Sequence, residues 1–449
     1  MGLSSSFYAI AMTETIFALS SGHGRAAIAV LRVSGPQVRA ILEAMVGRVP
    51  EPRQAVLASF KDPKTDEAID RGLLLFFAGP ASETGEDAAE FHCHGGPAIV
   101  AAMLRAFTKF ERTRLAEPGE FARRSFANGK LDLTALEGLA DLIEADTEAQ
   151  RRQALRQAGG ALRKKTESWR TALLETSALI EAEIDFSDEG DVAVARQDVR
   201  DRAAHLVGEL RTELASAASG ERLREGLTVV IAGPPNAGKS TLINALARRE
   251  AAIVSSMPGT TRDAIEVHLD LNGIPLTIID TAGLRASDDP IEAIGMARTK
   301  ARAGEADLVL WLSEASAPVP PDVKTRAKIW SIYTKWDLVS GASCTSKDHL
   351  WISAQTGAHM DLLIARLTDF ARDATGGGEG ALVTRERHRR ALEIAAQALT
   401  HAQDNALVAP PELLAEDIRH AIRALEKLVG RIDVEDVLGE IFSRFCIGK

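Results

Sequence analysis

Apolar positions change their period several times along the chain. Between residues 14 and 125 they come in short runs. Ala26–Leu31 and Leu73–Phe77 read as strands and Ala98–Phe110 as a helix, with Gly and Pro clusters between, which is the pattern of an α+β domain. From about Leu133 to Leu223 the period is helical. Leu136, Leu139, Ala140 and Ile143 fall at i, i+3, i+4 and i+7, and Leu173, Ser177, Ile180 and Ile184 continue a one-faced pattern. From about Leu227 to Phe370 apolar strands alternate with helices: Leu227–Ala232, Ile274–Ile279, Leu308–Leu312, Ile329–Tyr333 and Leu350–Ile352. This predicts a parallel, doubly wound sheet. Thr375–Gly380 reads as a flexible linker. Beyond it Leu414, Ile418, Ala421, Ile422, Leu425, Leu428 and Val429 form one helical stripe.

These shifts divide the chain into a disordered tail (1–13), an α+β domain (14–125), a first helical part (126–224), a sheet domain (225–374), a linker (375–380) and a second helical part (381–449). Helical stripes need a partner to bury against, so helices before and after the sheet domain suggest one helical domain with the sheet domain inserted. Two separate helical pieces would show the same periodicity.

Composition narrows the class. The 449 residues are 45% hydrophobic and 26% charged, as in a globular protein of several domains. A formal net charge of −10 argues against broad nucleic-acid binding, unless a local patch or a partner supplies the positive field. Three cysteines, Cys93, Cys344 and Cys446, without CxxC spacing suit a reducing compartment. No apolar run is long enough to span a membrane, and Met1–Thr13 lacks the regions of a signal peptide, so a cytoplasmic protein is expected.

The strand Leu227–Ala232 runs into Gly233-Pro-Pro-Asn-Ala-Gly-Lys-Ser240, which fits G-x-x-x-x-G-K-[ST] and is followed by a helical pattern beginning at Thr241. Strand, loop and helix in that order aim backbone N–H groups and a helix N-terminus at an anion. Asn236, Ala237, Gly238, Lys239, Ser240 and Thr241 are therefore expected to bind phosphates. Lys239 would neutralise the β- and γ-phosphates and Ser240 would ligate Mg2+. Asp280-Thr281-Ala282-Gly283 follows the next core strand, where the Asp would sit near Mg2+ and the Gly amide would reach the γ-phosphate. Thr261, in Pro258-Gly259-Thr260-Thr261-Arg-Asp263, would close over Mg2+ as a switch residue.

Guanine is expected as the base. Asp337, in Thr334-Lys335-Trp336-Asp337, offers a carboxylate to the N1–H and N2–H2 donors, which adenine lacks. Thr334 stands where Asn is usual, predicting intact guanine choice with weaker base affinity. Ser353-Ala354 opens a last base-contacting loop. Leu284 follows Gly283, where many GTPases carry a water-orienting Gln, so this chain must hydrolyse poorly or position water differently.

Together these motifs resemble the bacterial tRNA uridine-modification GTPases of the MnmE or TrmE type. The likeness is carried by Gly233–Ser240, Ala251-Ala-Ile-Val254 with Pro258–Asp263, Asp280-Thr-Ala-Gly-Leu-Arg285 and the terminal Phe445-Cys-Ile-Gly-Lys449. It is also carried by Thr84-Gly-Glu-Asp87, His94-Gly-Gly-Pro97 and Pro118-Gly-Glu-Phe121. It runs from about Glu14 to Lys449, and ribosome-assembly GTPases would share only the central part. The resemblance implies three parts: an N-terminal α+β tetrahydrofolate-binding-like domain that dimerises, a helical domain, and an inserted Ras-like P-loop GTPase domain with a mostly parallel sheet.

It further implies that two GTPase domains meet across K+, held by Asn236, Ser255, Met257 and Thr260, with Ser256, Pro258 and Gly259 in the same GTP-binding loop. Asn236 could instead be a turn former. Glu292 falls where the family orients water, or is a solvated helix carboxylate. Arg32, Glu90 and Lys130, with Lys449 from the C-terminal tail, match contacts to 5-formyl- or methylene-tetrahydrofolate; Arg32 and Lys130 could also be surface cations. The implied assembly is a homodimer, joined by an FAD-dependent partner into a heterotetramer that modifies the wobble uridine of tRNA. Cys446 admits two readings, a nucleophile at uridine C6 or a buried thiol; the second is favoured because free cysteine is among the most buried residue types. His92 and His94 share a strand face but have no third ligand in reach, so a loop role is favoured over a metal.

Overall fold

The computed structural model describes residues 14–22, 24–185, 192–249, 252, 266–280, 304, 306–321, 325–339, 349–376, 380–432, 435–445 and 448. The chain forms two compact units, Met1–Ala140 with Glu426–Lys449, and Asp141–Leu425.

The first unit begins β1 (Thr15–Leu19), β2 (Ala26–Ser34), α1 (Val38–Val46), β3 (Val56–Lys61), β4 (Ala68–Phe77) and β5 (Ala88–Gly95). It continues with α2 (Pro97–Phe107), β6 (Thr113–Leu115), α3 (Glu120–Ala127) and α4 (Leu133–Glu144), whose last turn enters the second unit. The strands form one sheet in the order β3-β4-β5-β2-β1-β6, antiparallel except for β1–β6. Its core joins Phe17, Leu31, Phe60 and Phe91 of the sheet to Ile41 and Leu42 of α1 and Phe107 of α2. The Phe91 ring lies 5.2 Å from both Phe60 and Phe107, within the range of favourable aromatic pairs.

Sequence reading found the first part of β2 and the last part of β4 but not β1, β3, β5 or β6. The sheet explains why for β5. Glu90, His92 and His94 alternate with Phe91 and Cys93 along β5, so no continuous apolar run marks that strand. His92 and His94 therefore lie in a strand, not a loop. The helix expected over Ala98–Phe110 runs Pro97–Phe107 instead, with Gly96 as N-cap and Pro97 at the first helical position.

The second unit continues with α5 (Glu148–Ala158), α6 (Ala161–Asp185) and α7 (Val192–Glu225). Thr147 and Gln150 form a capping box at the start of α5. The inserted sheet follows: β7 (Leu227–Ala232), α8 (Lys239–Ala247), β8 (Glu266–Leu271), β9 (Ile274–Asp280), β10 (Leu308–Glu314), β11 (Lys328–Thr334), β12 (His349–Trp351) and α9 (Met360–Thr375). Its order is β12-β11-β10-β7-β9-β8, parallel throughout except for the β8–β9 hairpin, so the expected mostly parallel P-loop sheet is present. Asn272 and Gly273 turn that hairpin with φ of 55° and 90°, as a type I′ turn requires.

Thr375 ends α9 and so does not belong to a linker; Gly376, at φ 56°, caps the helix. The chain continues as α10 (Glu386–Asn405) and α11 (Pro411–Val429). α10 packs on α7, and Arg389 Nε donates to Glu221 at 3.2 Å. Ile143, expected on the apolar stripe of α4, is 40% exposed, whereas Leu136 is fully buried. α12 (Glu435–Arg444) belongs to the first unit, where Leu438, Ile441 and Phe442 pack with Leu133 and Leu136. No helix among the described residues is long and apolar enough to cross a membrane.

Candidate functional site

In the second unit the site forms where the strand order of the sheet reverses. β7 lies between β9 and β10, and the loop after β7 opens outside the carboxyl ends of all three. Such a crevice is the usual ligand position in an open α/β sheet. The loop needs glycine at its first position. Gly233 has φ 141°, and a Cβ there would lie 2.1 Å from the Leu312 carbonyl oxygen. Asn236 and Gly238 also have positive φ, 62° and 83°. These conformations turn the loop so that α8 begins at Lys239, with Ser240 and Thr241 exposed in its first turn. Ala237 is buried and anchors the loop. Lys239 Nζ donates to the carbonyls of Gly233 and Pro234, each at 2.8 Å, so its ammonium lies over the loop it is expected to serve.

Asp280 ends β9, buried, and pairs in register with Ile231 beside the loop. The base-side residues come from the next strands. Thr334 is buried at the end of β11, and its hydroxyl donates to Ala237 O at 2.8 Å and Ser313 O at 3.2 Å. Lys335, at φ 56°, forms an ion pair with Glu314. Asp337 is exposed in a short 3-10 turn, Trp336–Leu338. The backbone N–H of Trp336 donates to Ile352 O at 3.2 Å, tying this turn to the loop after β12. There Ser353 is buried and its hydroxyl accepts from the Thr356 N–H at 3.1 Å, while Ala354 packs against the core. Residues as far apart in sequence as Gly233 and Ser353 thus flank one crevice. Ser255, Ser256, Met257, Pro258, Gly259, Thr260, Thr261, Thr281, Ala282, Gly283, Leu284 and Glu292 lie outside the described residues.

The first unit contains a second site, an open cavity of ≈ 350 Å3 lined by Arg32, Arg53, Phe77, Glu83, Thr84 and Glu90 among others. Arg32 and Glu90 face each other across β2 and β5, and the guanidinium donates to Glu90 Oε1 at 2.9 Å and contacts Glu83 at 2.9 Å. Glu90 Oε2 lies 3.5 Å from His92 Nε2. Lys130 is exposed and is not among the lining residues; Lys449 and Cys446 lie outside the described residues. Sequence reading assigned Phe77 to a strand but to no site, and missed Arg53 and Glu83, which carry no periodic or motif signal. His94 Nδ1 is 2.9 Å from Asp70, and no cluster of three metal-ligating side chains occurs among the described residues.

A P-loop at the switch point of a mostly parallel sheet, inserted between helices and preceded by a mixed sheet domain, defines a multidomain P-loop nucleotide-binding protein. Two family models match this chain, the MnmE helical domain over residues 133–446 and the GTP-binding protein TrmE N-terminus over residues 15–130. The tRNA modification GTPase MnmE of Beijerinckia indica is 56% identical over 443 residues, covering 98% of this chain and 97% of that protein. Its counterpart in Rhodopseudomonas palustris is 52% identical over 440 residues, covering 97% and 99%. The chain belongs to the MnmE (TrmE) family of tRNA modification GTPases, and is a GTP-hydrolysing enzyme of tRNA modification. A solved G domain of the T. maritima FeoB iron transporter covers 32% of this chain and 98% of its own at 25% identity and a TM-score of 0.24, too slight a likeness to bear on function.

Proposed function

We propose that the chain is the GTP-hydrolysing component of a cytoplasmic complex that installs a 5-carboxymethylaminomethyl or aminomethyl group on the wobble uridine of certain tRNAs. The observation that carries the reading is the joining of phosphate loop and base-side strand through Thr334 and Ala237, in a chain of this family. Lys239, Ser240 and Thr241 bind the phosphates, Asp280 and Ser240 serve Mg2+ with Thr261, and Asp337 reads guanine with Lys335 and Ser353 beside it. The loop's N–H groups and oxygens suit an Mg2+–triphosphate: Ser240 and Asp280 supply hard oxygen donors, which that ion prefers.

Asn236 with Ser255, Met257 and Thr260 would hold K+, which would supply positive charge to the phosphates as two GTPase domains meet. Glu292 helps orient the attacking water. Hydrolysis drives a conformational cycle, not bond making itself. In functional terms residues 14–125 form the folate-binding and dimerising domain, 126–224 and 381–449 the helical domain, and 225–374 the GTPase domain.

The cavity at Arg32 and Glu90 supports a one-carbon tetrahydrofolate. The guanidinium suits the ligand's carboxylates and Glu90 the donor edge of a pterin. Lys130 and Lys449 complete the site, which is shared between two chains of a homodimer. An FAD-dependent partner supplies the remaining chemistry.

Nucleoside analysis of tRNA from a strain lacking this chain tests the reading. Loss of the 5-substituted wobble uridine, restored by the wild-type chain but not by Lys239→Ala, is expected. Normal tRNA with a ribosomal-subunit defect would instead assign the protein to ribosome assembly, and normal tRNA with altered one-carbon pools to folate transfer.

A further inference from the structure

The chain is acidic overall, yet the 18 residues Ala149–Thr166 hold six cations and no carboxylate: Arg151, Arg152, Arg156, Arg163, Lys164 and Lys165. The structure gathers them on adjoining turns. α5 ends at Ala158, Gly159 and Gly160 form the turn, and α6 starts at Ala161. The turn is well made: Gly160 N–H donates to Gln157 O and Lys164 N–H to Gly160 O, each at 2.9 Å.

Nearby carboxylates neutralise only part of the cluster. Glu148 is shared between Arg151 at 2.7 Å and Arg152 at 2.8 Å, and Glu213 takes Lys165 at 3.0 Å. Arg156 and Lys164 are exposed and have no ion pair among the described residues. Arg163 is exposed as well but has a partner of its own, so Arg156 and Lys164 are the cations that carry the argument. Helix stability does not account for the pattern. Arg163 and Lys164 occupy the first turn of α6, where the macrodipole disfavours cations and where no acidic residue stands. Arg163 and Lys164 are therefore placed against local preference on an otherwise acidic protein, whereas Arg156 lies in the last turn of α5, where a cation is favoured.

We propose that the α5–α6 turn is an RNA-binding surface that contacts the phosphate backbone of the tRNA substrate. This rests on the tRNA-modification reading and supplies the local positive field that a net charge of −10 otherwise denies. Exposed guanidinium groups suit phosphate oxygens, and contacts of this kind position a nucleic acid without reading its sequence. The test uses the full chain and an unmodified tRNA transcript, with affinity measured across a KCl series. In Arg156→Gln/Lys164→Gln the Kd should rise about tenfold near 0.1 M salt and the log–log salt slope should fall by about 2, roughly one for each phosphate no longer neutralised. Arg156→Lys/Lys164→Arg should restore both, and GTP hydrolysis without tRNA should stay within about twofold of wild type, which shows the chain is folded.

Wild type and the Gln variant binding tRNA with equal affinity and slope would overturn this surface while leaving the tRNA reading intact. Failure of the wild-type chain to bind tRNA at all would overturn the surface for this chain; the nucleoside analysis above would then still decide the reading. Loss of association with an acidic partner protein, with tRNA binding unchanged, would assign the turn to that protein and overturn the RNA proposal.

Discussion

The hydroxyl of Thr334, at the end of β11, donates to the carbonyl oxygen of Ala237 in the phosphate loop at 2.8 Å, across 97 residues of chain. Read in sequence, Thr334 is a shortened guanine contact. In the structure it is a strut between the part of the site that holds phosphate and the part that reads the base. Thr334→Val keeps the shape and leaves the Ala237 carbonyl without its donor, at a cost of about 1–2 kcal/mol. GTP and GDP dissociation constants should rise roughly 5- to 30-fold, the ratio that follows from that cost. Thr334→Asn keeps a donor within reach of Ala237 and should tighten both nucleotides. Unchanged or weaker binding in a fluorescence titration would show that Thr334 does not limit base affinity.

Leu284 cannot hydrogen-bond the attacking water, so a charge from elsewhere must assist hydrolysis. We expect kcat to require K+ and to be low in Na+ at matched ionic strength. Asn236→Ala should abolish the difference between the two salts. Equal wild-type rates in both salts would remove the cation from the mechanism.

Glu120 is fully buried in the first unit, and Arg114 donates to both of its carboxylate oxygens at 2.7 Å, with Arg124 at 3.1 Å. Burial pushes its pKa up, but the Arg114 hydrogen bonds, the Glu117 N–H and the charge of Arg124 outweigh that and hold it below the usual carboxylate range. A depressed carboxyl contributes stability above its unfolded pKa, about 4.3, which is lost as pH falls through the folded value. Thermal melts should therefore be steady near neutrality and drop below about pH 4. Glu120→Gln should lower stability by about 3 kcal/mol at pH 7, because two guanidinium groups lose a buried partner. It should also flatten the acid limb of the melt. An acid limb unchanged in Glu120→Gln would place the titration elsewhere.

Cys93 is buried in β5, and its thiol is pushed up to about 11, chiefly by burial and secondly by the charge of Asp70. The thiolate is the reactive form, so Cys93 should resist iodoacetamide at pH 8 in the native protein. It should react within minutes in denaturant. Mass spectrometry of alkylated peptides reads this directly, and rapid native labelling at Cys93 would contradict the packing of β5 against β2.

Legibility in the sequence followed burial. β7 and β10 of the inserted sheet were visible because both of their faces are covered, leaving runs such as Leu308–Leu312 with no polar residue, whereas β8, where Glu266, His268 and Asp270 alternate with buried Val267, Leu269 and Leu271, was missed. The N-terminal sheet was half legible, since Glu90 and His92 alternate with buried Phe91 and Cys93 and leave β5 no continuous apolar run. Thr375 read as linker because glycines follow it, yet it is buried and its hydroxyl donates to Ala371 O at 2.9 Å. Arg53 and Glu83 were invisible as cavity residues because neither belongs to a motif or a periodic face.

By itself the sequence determined local things: the phosphate loop, whose glycines answer steric demands within a few residues, and the period of each segment, which sets the class of its domain. It also determined that Ala149–Thr166 is basic. Tertiary structure decided which distant residues act together. The pairing of Thr334 with Ala237, of Arg32 with Glu90, and of Glu120 with Arg114 depends on strand order, cross-strand register and helix placement. Hydrogen bonds and ion pairs act over a few ångströms in space and carry no mark in sequence separation.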